Sequence, residues 1–230
     1  MKEKVVVIIP AFNEENAVGK VVRDIPKELV DEVIVVNNNS TDKTSESALK
    51  EGATVLFEEV KGYGNACLKG IDYLKNNRND STDIVVFLDA DYSDYPEQMI
   101  DLISPIQNNT MDMVIGSRAL GNREVGSMTI PQIFGNWLAT HLMRILFGAK
   151  STDLGPFRAI RYSSLLALDM QDRTYGWTVE MQIKAIKKKI NYCEIPVDYR
   201  NRIGFSKISG TFKGAVLAGY KIITTIFRYL

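Results

Sequence analysis

The sequence has few of the residues on which several common functional classes depend. Among its 230 residues there are one histidine, His141, and two cysteines, Cys67 and Cys193. The two cysteines have neither the spacing of a zinc site nor the number that a disulfide framework needs. We therefore expect both thiols to pack as small core residues in a reducing compartment, and we expect no catalytic role for His141.

Long apolar runs and glycine-rich phosphate loops are also missing. No segment approaches the roughly 20 apolar residues of a membrane-spanning helix. Charged residues return too early in residues 1–15 for a signal peptide. The glycine-containing stretch 61–66 lacks the Walker spacing, and no G-x-G-x-x-G follows the first apolar run, residues 5–10. These absences argue against membrane-spanning, secreted and dinucleotide-dependent redox proteins.

The chain as a whole is electrically balanced, with 28 basic and 28 acidic residues, so its overall charge does not indicate a nucleic-acid partner. The distribution along the chain is uneven. Residues 199–230 contain six basic residues and no acidic one, which leaves a net charge of −6 on residues 1–198. The basic end predicts a local anionic partner, either a phosphate group or a lipid surface.

The first half of the sequence alternates between short apolar runs and segments with helical periodicity. Continuous apolar strands separated by helices predict an α/β fold with a mostly parallel, Rossmann-like central sheet and helices on both faces. We expect Ser40 to cap one helix and Pro96 to lie in the first turn of another. The predicted strands are residues 5–10, 32–36, 53–57, 83–89 and 112–118.

After residue 120 the pattern is less regular. Apolar positions predict helices at residues 131–147 and 178–189, and residues 190–199 read as an extended segment. Hydrophobic residues make up 45% of the chain, which is enough for one sizeable core. No linker, repeat or low-complexity stretch divides it.

Polar residues follow the predicted strands directly, at the edge of the sheet where α/β folds bind ligands. Asp89 and Asp91 follow the fourth strand, and residues two apart in extended backbone point to the same side. Two such carboxylates suit a hard divalent cation such as Mg²⁺, with substrate phosphates and water as the remaining ligands. The alternative is a solvated acidic turn, and nothing assigns Asp94 a role beyond shaping it.

Three further segments have both a ligand-binding and a structural interpretation. Asn13 and Glu14 precede a predicted helix, where they either contact a ligand or cap the helix. The asparagine-rich stretch 37–44 supplies groups for a nucleobase and a ribose, but it also fits an ordinary turn. Lys61 precedes two glycines at the start of a helix, which favours a phosphate.

Cations and one further acid in the second half are candidates for binding or catalysis. Arginine suits phosphate because its planar guanidinium donates paired N–H groups. Glu180 lies between apolar residues on a predicted helix and is either a buried anchor, a catalytic carboxylate or an exposed side chain. The cation candidates, each with a solvated surface position as its alternative, are Arg118, Arg123, Arg158 and Arg161 and the loop residues Arg202 and Lys207, beside Ser206.

Seven of these segments occur in an order that resembles the GT-A glycosyltransferases. The resemblance is closer to the inverting branch that makes polyprenyl-phosphate sugars, such as the dolichyl-phosphate mannose and glucose synthases. The segments, which extend from about residue 4 to residue 210, are IIPAFNEE, VVNNNSTDKT, KGYGNACLKG, FLDADYSDYPE, VIGSR, GPFRAIR and RIGFSKISG. The resemblance implies a catalytic domain at residues 1–210 that transfers a sugar from a nucleotide-diphosphate sugar to a polyprenyl phosphate. The resemblance favours a UDP-sugar over a GDP-sugar as the donor, and it implies that the anomeric carbon is inverted.

The resemblance also implies a role for each matching residue. Asp89 and Asp91 are the implied ligands of Mg²⁺ or Mn²⁺, and Asp91 is the residue on which catalysis most depends. The implied acceptor-phosphate residues are Arg118, Arg158, Arg202, Ser206 and Lys207. The implied donor-binding residues are Pro10, Ala11, Asn13, Glu14, Asn37, Asn38, Asp42, Lys61, Asp89, Ala90 and Asp91.

The sequence departs from the family pattern at two places. The family usually has Asp-Asp-Gly where this chain has Asn37, Asn38 and Asn39. Asparagine tolerates positive φ and so can replace the glycine. The loss of the two acids leaves open which nucleobase the donor carries. Gly155 and Pro156 replace a Ser-Gly pair found in many relatives, which predicts a differently shaped acceptor loop.

Residues 211–230 are predicted to form an amphipathic helix. Lys213, Lys221 and Arg228 are spaced so that they share one broad face of an otherwise apolar helix. This profile predicts a helix in a membrane interface that is attracted by anionic lipid, with a core-packed terminal helix as the alternative. With the implied lipid acceptor, it predicts a peripheral protein on the cytoplasmic face of the membrane.

Two other functions are compatible with the sequence. Transfer to a hydroxyl acceptor requires a base, for which Glu180 or Asp153 is the candidate, whereas an acceptor phosphate is already an anion and requires none. The second alternative is a noncatalytic nucleotide-binding or membrane-scaffold protein on the same fold.

Overall fold

The computed structural model describes residues 3–78, 82–205 and 212–230. Within these residues the sheet strands are β1 (Val5–Ala11), β2 (Glu32–Asn37), β3 (Thr54–Phe57), β4 (Ile84–Phe87), β5 (Met113–Ser117), β6 (Arg158–Arg161) and β7 (Tyr192–Pro196). Strands β1 to β5 confirm the five predicted apolar runs to within one or two residues at each end. Strand β7 lies inside the segment that was predicted to be extended.

The helices of the described residues are α1 (Val18–Asp24), α2 (Thr44–Lys50), α3 (Tyr63–Asn77), α4 (Met99–Gln107), α5 (Ile130–Phe147), α6 (Tyr162–Leu168), α7 (Trp177–Lys187) and α8 (Phe212–Arg228). A single 3-10 turn that starts at Pro96 leads into α4, as the proline indicated. The predicted cap at Ser40 is wrong, because α2 begins only at Thr44. The Ser40 hydroxyl instead accepts the backbone N–H of Asn13 at 2.9 Å.

The sheet has the strand order β3-β2-β1-β4-β6-β5-β7. Strand β6 is antiparallel to both of its neighbours, and the other pairings are parallel, so the mostly parallel α/β prediction is confirmed. The sequence did not predict β6, because an arginine at each end of its four residues interrupts the apolar pattern. Since β6 runs opposite to β4, its first residue Arg158 pairs with Phe87, directly below the loop that carries Asp89.

The core lies on both faces of the sheet, as alternation along β1 illustrates. Val5, Val7 and Ile9 pack with residues of α1 and α4 on one face. Val6 and Ile8 pack with residues of α3, α6 and α7 on the other. A separate apolar cluster joins α5, α7 and α8. This third cluster attaches the C-terminal helix α8 to α5 and α7.

The thiols agree with the prediction made from the sequence. Both cysteines are unpaired; Cys67 is buried and Cys193 is half-buried. Cys67 belongs to the core cluster on the α3 face of the sheet, and Cys193 packs against the cluster on the opposite face. Each cysteine therefore serves as a small apolar residue.

Candidate active site

A cavity of about 230 Å³ opens at the carboxyl ends of β1, β2 and β4, and we call it the donor cavity. It lies at the edge of the sheet where the sequence placed its polar clusters. The residues predicted to bind the donor that line it are Pro10, Ala11, Glu14, Asn38, Lys61, Asp89, Ala90 and Asp91. The wall is completed by Phe12, Gly62, Tyr63, Ala66, Tyr175 and Arg202.

Three aromatic residues of this wall were not singled out from the sequence. Phe12 and Tyr63 lie inside segments already identified, so their position beside the motif residues was an available signal. The Lys61 ammonium lies 4.5 Å from the centroid of the Phe12 ring. Tyr175 comes from a distant turn, and no local pattern marks it. Aromatic faces in such a cavity suit the stacking of a nucleobase.

Asn13, Asn37 and Asp42 were also predicted to bind the donor, but they do not line the cavity. They join the loops that carry it. The Asn13 side-chain oxygen accepts the N–H of Thr41 at 2.8 Å, and the Asp42 carboxylate accepts the N–H of Glu15 at 3.2 Å. Asn37 bonds within its own turn, where its side-chain oxygen accepts from the Ser40 N–H at 2.8 Å. The contacts of Asn13 and Asp42 hold the loops after β1 and β2 together, and those of Asn37 fix the turn after β2.

The amide of Asn38 has a structural reason. Its Nδ2 donates to the carbonyls of Glu58 and Val60, at 3.3 and 2.8 Å, and its Oδ1 accepts the N–H of Gly62 at 2.7 Å. An aspartate here would place a carboxylate against two carbonyl oxygens, which is repulsive. The neighbouring Asn39 has a φ of 61°, which confirms the positive φ expected where the family has glycine.

The glycine turn after Lys61 packs against the backbone of residues 172–174. A Cβ on Gly64 would lie 2.0 Å from the Asp172 carbonyl oxygen, so only glycine fits. The N–H groups of Gly64 and Asn65 donate to the carbonyls of Thr174 and Arg173, at 3.3 and 3.0 Å. Because these two N–H groups are occupied, the Lys61 side chain is the part of this turn that can meet a phosphate.

Asp89 and Asp91 lie together at the floor of the cavity. Asp89 Oδ1 is buried without a hydrogen-bond partner among the described residues. Burial, followed by the charge of Asp91, raises the pKa of Asp89 from 3.8 to about 7. The nearby Tyr63 hydroxyl lowers this pKa, although its geometry is not that of a hydrogen bond. A buried carboxylate oxygen without a partner, beside a second carboxylate, fits the ligand set of a divalent cation.

Arg202 connects the carboxylate pair to the loop after β1. One of its terminal nitrogens lies 3.0 Å from Asp91 Oδ2 and the other lies 2.6 Å from Glu14 Oε1. Both carboxylates are buried. Arg202, predicted as an acceptor-phosphate residue, therefore lies in the donor cavity and places a positive charge beside Asp91.

Asp94, to which the sequence assigned no role in binding, is buried near the loop that carries Asp89 and Asp91. Both of its carboxyl oxygens lack a hydrogen-bond partner within the described part of the chain. Burial, and then the charges of Asp89 and Asp91, raise the pKa of Asp94 well above its usual value. Three neighbouring carboxyl groups thus share a region with little solvent, which favours protonation of some of them when no cation is bound.

Arg118 forms a two-point ion pair with Asp153. Its Nε and Nη2 lie 2.8 and 2.7 Å from the two carboxylate oxygens, and the Arg118 N–H adds a third bond at 2.8 Å. Burial opposes the charged form of Arg118, but Asp153 outweighs it and raises the pKa of Arg118 well above its ordinary value. The pair fixes the position of the Arg118 guanidinium and occupies both carboxylate oxygens of Asp153.

Arg158 was predicted to contact the acceptor phosphate, but it is fully buried within the sheet. Its guanidinium donates to the carbonyls of Gly155, Leu154 and Thr178, and Arg158 does not line the donor cavity. Burial lowers the pKa of Arg158 to about 10. Its contacts shape the loop at residues 154–155. Ser206 and Lys207, the remaining predicted acceptor residues, lie outside the described residues.

A second cavity of about 260 Å³ adjoins the first, and we call it the acceptor cavity. The two cavities share Tyr63, Asp89 and Tyr175 as lining residues. Away from this junction the lining is mostly apolar and comes from α5, α8 and the loop at residues 154–156. Its further members are Arg118, Met128, Pro131, Gln132, Gly135, Asn136, Leu154, Pro156, Thr178, Ala218, Gly219 and Ile222.

Glu180, one of the two candidate bases, is fully buried and has four partners. It accepts the N–H groups of Gln171 and Asp172 at 2.9 and 2.6 Å, the Tyr229 hydroxyl at 2.7 Å and the Lys184 ammonium at 2.7 Å. These bonds make it an anchor between α7 and α8, the first of the three interpretations of this residue. Like Asp153, it has no free oxygen directed at a substrate.

Helices α5 and α8 pack together and share an exposed apolar surface. On α5 the exposed residues include Ile130, Phe134 and Trp137, and on α8 they include Val216, Leu217, Tyr220 and Phe227. Lys221, one of the three cations predicted to share a face of this helix, pairs through its ammonium with buried Asp172 at 2.8 Å. No helix in residues 3–78, 82–205 and 212–230 is both long and apolar enough to cross a bilayer.

Comparison with known proteins places this geometry in a family. Residues 6–168 match the family model described as Glycosyl transferase family 2. A dolichyl-phosphate hexose transferase of Haloferax volcanii is 31% identical over 223 residues, which cover 94% of this chain and 91% of the relative. An undecaprenyl-phosphate mannosyltransferase of Micrococcus luteus is 29% identical over 226 residues, which cover 92% and 90%.

Solved structures with the same fold were also found. Glucosyl-3-phosphoglycerate synthase from Mycobacterium tuberculosis, in complex with Mn²⁺, UDP and glucosyl-3-phosphoglycerate, matches with a TM-score of 0.75 and 21% identity. The match covers 99% of this chain and 80% of that one. At this identity the likeness concerns the fold alone, and it confirms the predicted GT-A architecture.

Proposed function

The chain belongs to glycosyl transferase family 2 and transfers a sugar from a nucleotide sugar, and we propose that its acceptor is a polyprenyl phosphate. In the proposed reaction an oxygen of the acceptor phosphate attacks the anomeric carbon of the sugar. The bond from that carbon to the nucleotide diphosphate breaks, and the configuration of the carbon inverts.

The observation that carries this proposal is the acceptor cavity. It meets the donor cavity at Asp89, contains Arg118 and continues between α5 and α8 along mostly apolar residues. A polyprenyl phosphate has one anionic head and a long apolar tail, so a cavity with a fixed guanidinium and an apolar lining suits both parts. The names of two relatives, a dolichyl-phosphate hexose transferase and an undecaprenyl-phosphate mannosyltransferase, support the same acceptor class.

The donor cavity is proposed to hold the nucleotide diphosphate of the donor. Its aromatic residues suit the stacking of the nucleobase, and the Lys61 side chain is placed to contact a phosphate group. Asn13, Asn37 and Asp42 act indirectly in this proposal: Asn13 and Asp42 hold the two loops together, and Asn37 fixes the turn after β2. We favour UDP over GDP, because the name of a further relative, a UDP-N-acetylglucosamine–dolichyl-phosphate transferase, specifies UDP.

Asp89 and Asp91 fit a divalent cation, and we propose them as ligands of Mg²⁺ or Mn²⁺. The unpartnered Asp89 oxygen and the repulsion between the two carboxylates are the features that a cation would relieve. Among the described residues no group of three acidic, histidine or cysteine side chains is placed to hold a metal, so donor phosphates and water complete the proposed ligand set. When bound, the cation neutralises charge on the leaving diphosphate.

The remaining chemistry requires positioning rather than a base. The attacking phosphate oxygen is already an anion near neutral pH. Arg118 and Arg202 are the described cations proposed to hold it near the donor, and Ser206 and Lys207 are proposed with them. The hydroxyl-acceptor alternative is weaker, because Asp153 and Glu180 both direct their oxygens at other partners.

The exposed apolar surface of α5 and α8 is proposed to lie on the membrane that contains the acceptor. In this proposal residues 1–210 form the catalytic domain, residues 211–230 form the interface helix, and the protein binds peripherally on the cytoplasmic face. Basic residues of the segment 199–230 add attraction to anionic lipid. The placement brings the mouth of the acceptor cavity close to lipid.

A transfer assay with radiolabelled UDP-sugars tests the proposal. The enzyme is incubated with Mn²⁺ and one of three acceptors: a polyprenyl phosphate, the corresponding unphosphorylated polyprenol or a free sugar. We expect label on the polyprenyl phosphate alone. We also expect Asp91→Ala to abolish transfer, whereas Asp101→Ala, at an exposed acid on α4, retains it.

Three outcomes contradict the proposal at different points. Label on the polyprenol or the sugar supports a hydroxyl acceptor. Full transfer by Asp91→Ala without added metal removes the proposed role of the carboxylate pair. Nucleotide binding with neither transfer nor hydrolysis of any nucleotide sugar supports the noncatalytic alternative.

A further inference from the structure

Residues 171–176, here called the bridging segment, lie between the donor cavity and α8. On the cavity side, the carbonyls of Arg173 and Thr174 accept the N–H groups of Asn65 and Gly64, at 3.0 and 3.3 Å. A Cβ on Gly64 would lie 2.0 Å from the Asp172 carbonyl oxygen, so the two backbones are in direct contact. The bridging segment therefore cannot shift without moving the turn that carries Lys61.

On its other side the bridging segment is held by α8. Lys221 lies 2.8 Å from the Asp172 carboxylate. A Cβ on Gly176 would lie 2.5 Å from the Thr225 hydroxyl, so α8 also packs closely on the end of the segment. Tyr229 donates to Glu180 at 2.7 Å, and Glu180 in turn accepts the Asp172 N–H at 2.6 Å.

Asp172 is the residue at which these contacts meet. Its Oδ1 accepts the N–H groups of Thr174 and Gly176, at 2.8 and 3.1 Å, which sets the fold of the segment. Its Oδ2 faces Lys221, and the carboxyl group is buried. A buried carboxylate that loses its cation partner is left with an uncompensated charge, which favours its movement towards water. Such a movement changes the segment on which the glycine turn rests.

Tyr175 adds a direct connection, because its side chain lines both cavities. Its neighbours along the chain are Thr174, whose N–H bonds to Asp172, and Gly176, which packs against Thr225 of α8. Displacement of the bridging segment would therefore alter the donor cavity at two places, Tyr175 and the Lys61 turn.

We propose that α8 positions the donor cavity through the bridging segment, with Asp172 and Lys221 as the positioning residues. The placement of α8 and the binding of nucleotide are then coupled, and the coupling is reciprocal: each strengthens the other. The inference rests on the proposed function, since it takes the donor cavity to hold the nucleotide. It gives the C-terminal helix a part in donor binding besides any contact with lipid.

Calorimetric titration of UDP in the presence of Mn²⁺, without acceptor or lipid, tests the coupling in the full-length chain. We expect Lys221→Gln to weaken UDP binding about 5-fold, a size typical of coupling between sites. Lys221→Arg keeps the charge and is expected to bind nearly as the wild type does. Arg228→Gln removes the same charge from an exposed position near the end of α8 and is expected to leave UDP affinity unchanged.

Hydrogen exchange provides a second measurement that does not depend on affinity. We expect the amides of Gly64 and Asn65 to exchange faster in Lys221→Gln than in Arg228→Gln, because their carbonyl partners belong to the bridging segment. Tyr229→Phe, which removes the bond to Glu180, should accelerate the same amides.

The outcomes separate this inference from the proposed function. If the wild type binds UDP and transfers sugar but Lys221→Gln equals Arg228→Gln in affinity and exchange, the coupling is refuted and the proposed function stands. If the wild type binds neither UDP nor GDP with Mn²⁺, both are refuted. Faster exchange and weaker binding in Lys221→Gln but not in Arg228→Gln support the inference.

Discussion

Replacing Asp89 by asparagine should stabilise the metal-free protein at alkaline pH, although Asp89 is placed at the centre of the active site. The carboxyl is half-buried, has an unpartnered buried oxygen and lies beside Asp91. Ionising it in the folded chain is therefore unfavourable. Asparagine has nearly the same shape and carries no charge, so Asp89→Asn removes this cost while retaining the packing.

The magnitude follows from the pKa of Asp89, which is raised from 3.8 to about 7 in the folded chain. A group with a raised pKa in the folded state supplies stability below its unfolded pKa and loses it as pH rises through the folded value. Between pH 5 and pH 7 the wild type should lose about 3 kcal/mol relative to Asp89→Asn, at roughly 1.4 kcal/mol per pH unit. Above about pH 8 the difference should be constant.

Urea unfolding with a chelator present measures this difference directly. Curves are recorded at pH 5 and pH 8 for the wild type, for Asp89→Asn and for the surface control Asp101→Asn. We expect the advantage of Asp89→Asn to be larger at pH 8 than at pH 5, with no such trend in the control. An advantage that is the same at both pH values, or a variant less stable than the wild type at pH 8, would refute the reasoning.

Two further substitutions test contacts that support the site. Asp153→Asn leaves the Arg118 guanidinium without its two-point partner and should lower the free energy of unfolding by about 3 kcal/mol; a loss below about 1 kcal/mol in urea unfolding would show that the pair contributes little. Gly64→Ala should cost about 2 kcal/mol and weaken UDP binding, since its Cβ meets the Asp172 carbonyl; wild-type stability and affinity would contradict that contact.

The parts of this protein that sequence reasoning identified depend on local patterns. Strands β1 to β5 are short continuous apolar runs, and such runs specify buried parallel strands almost independently of their surroundings. Asp89, Asp91 and Glu14 follow these strands directly, so the rule that ligands bind at carboxyl ends was sufficient to bring them to one edge. The positive φ of Asn39 was predicted because asparagine tolerates this backbone conformation.

The roles of several polar residues could not be obtained in this way. A motif match put Asn13, Asn37 and Asp42 at the donor, yet each bonds to a loop rather than lining the cavity. Arg158 was predicted to contact the acceptor phosphate, with a solvated surface position as the alternative, but the antiparallel strand β6 buries it. A polar side chain finds its partners through the fold, and hydrogen bonds between distant residues leave no periodic signal in the sequence.

The amino-acid sequence by itself determined the α/β class, the edge of the sheet that carries the site and the carboxylate pair, because apolar periodicity and strand ends are local properties. Tertiary structure alone decided which charges are satisfied. In the folded chain Glu180 accepts a hydrogen bond from Tyr229 of α8, Asp153 pairs with Arg118, and Lys221 pairs with Asp172. One oxygen of Asp89 has no hydrogen-bond partner among the described residues. Burial and the pairing of charges depend on residues far apart in the chain. Those pairings distinguish the charged residues that stabilise the fold around the site from the residues that are left to bind a ligand.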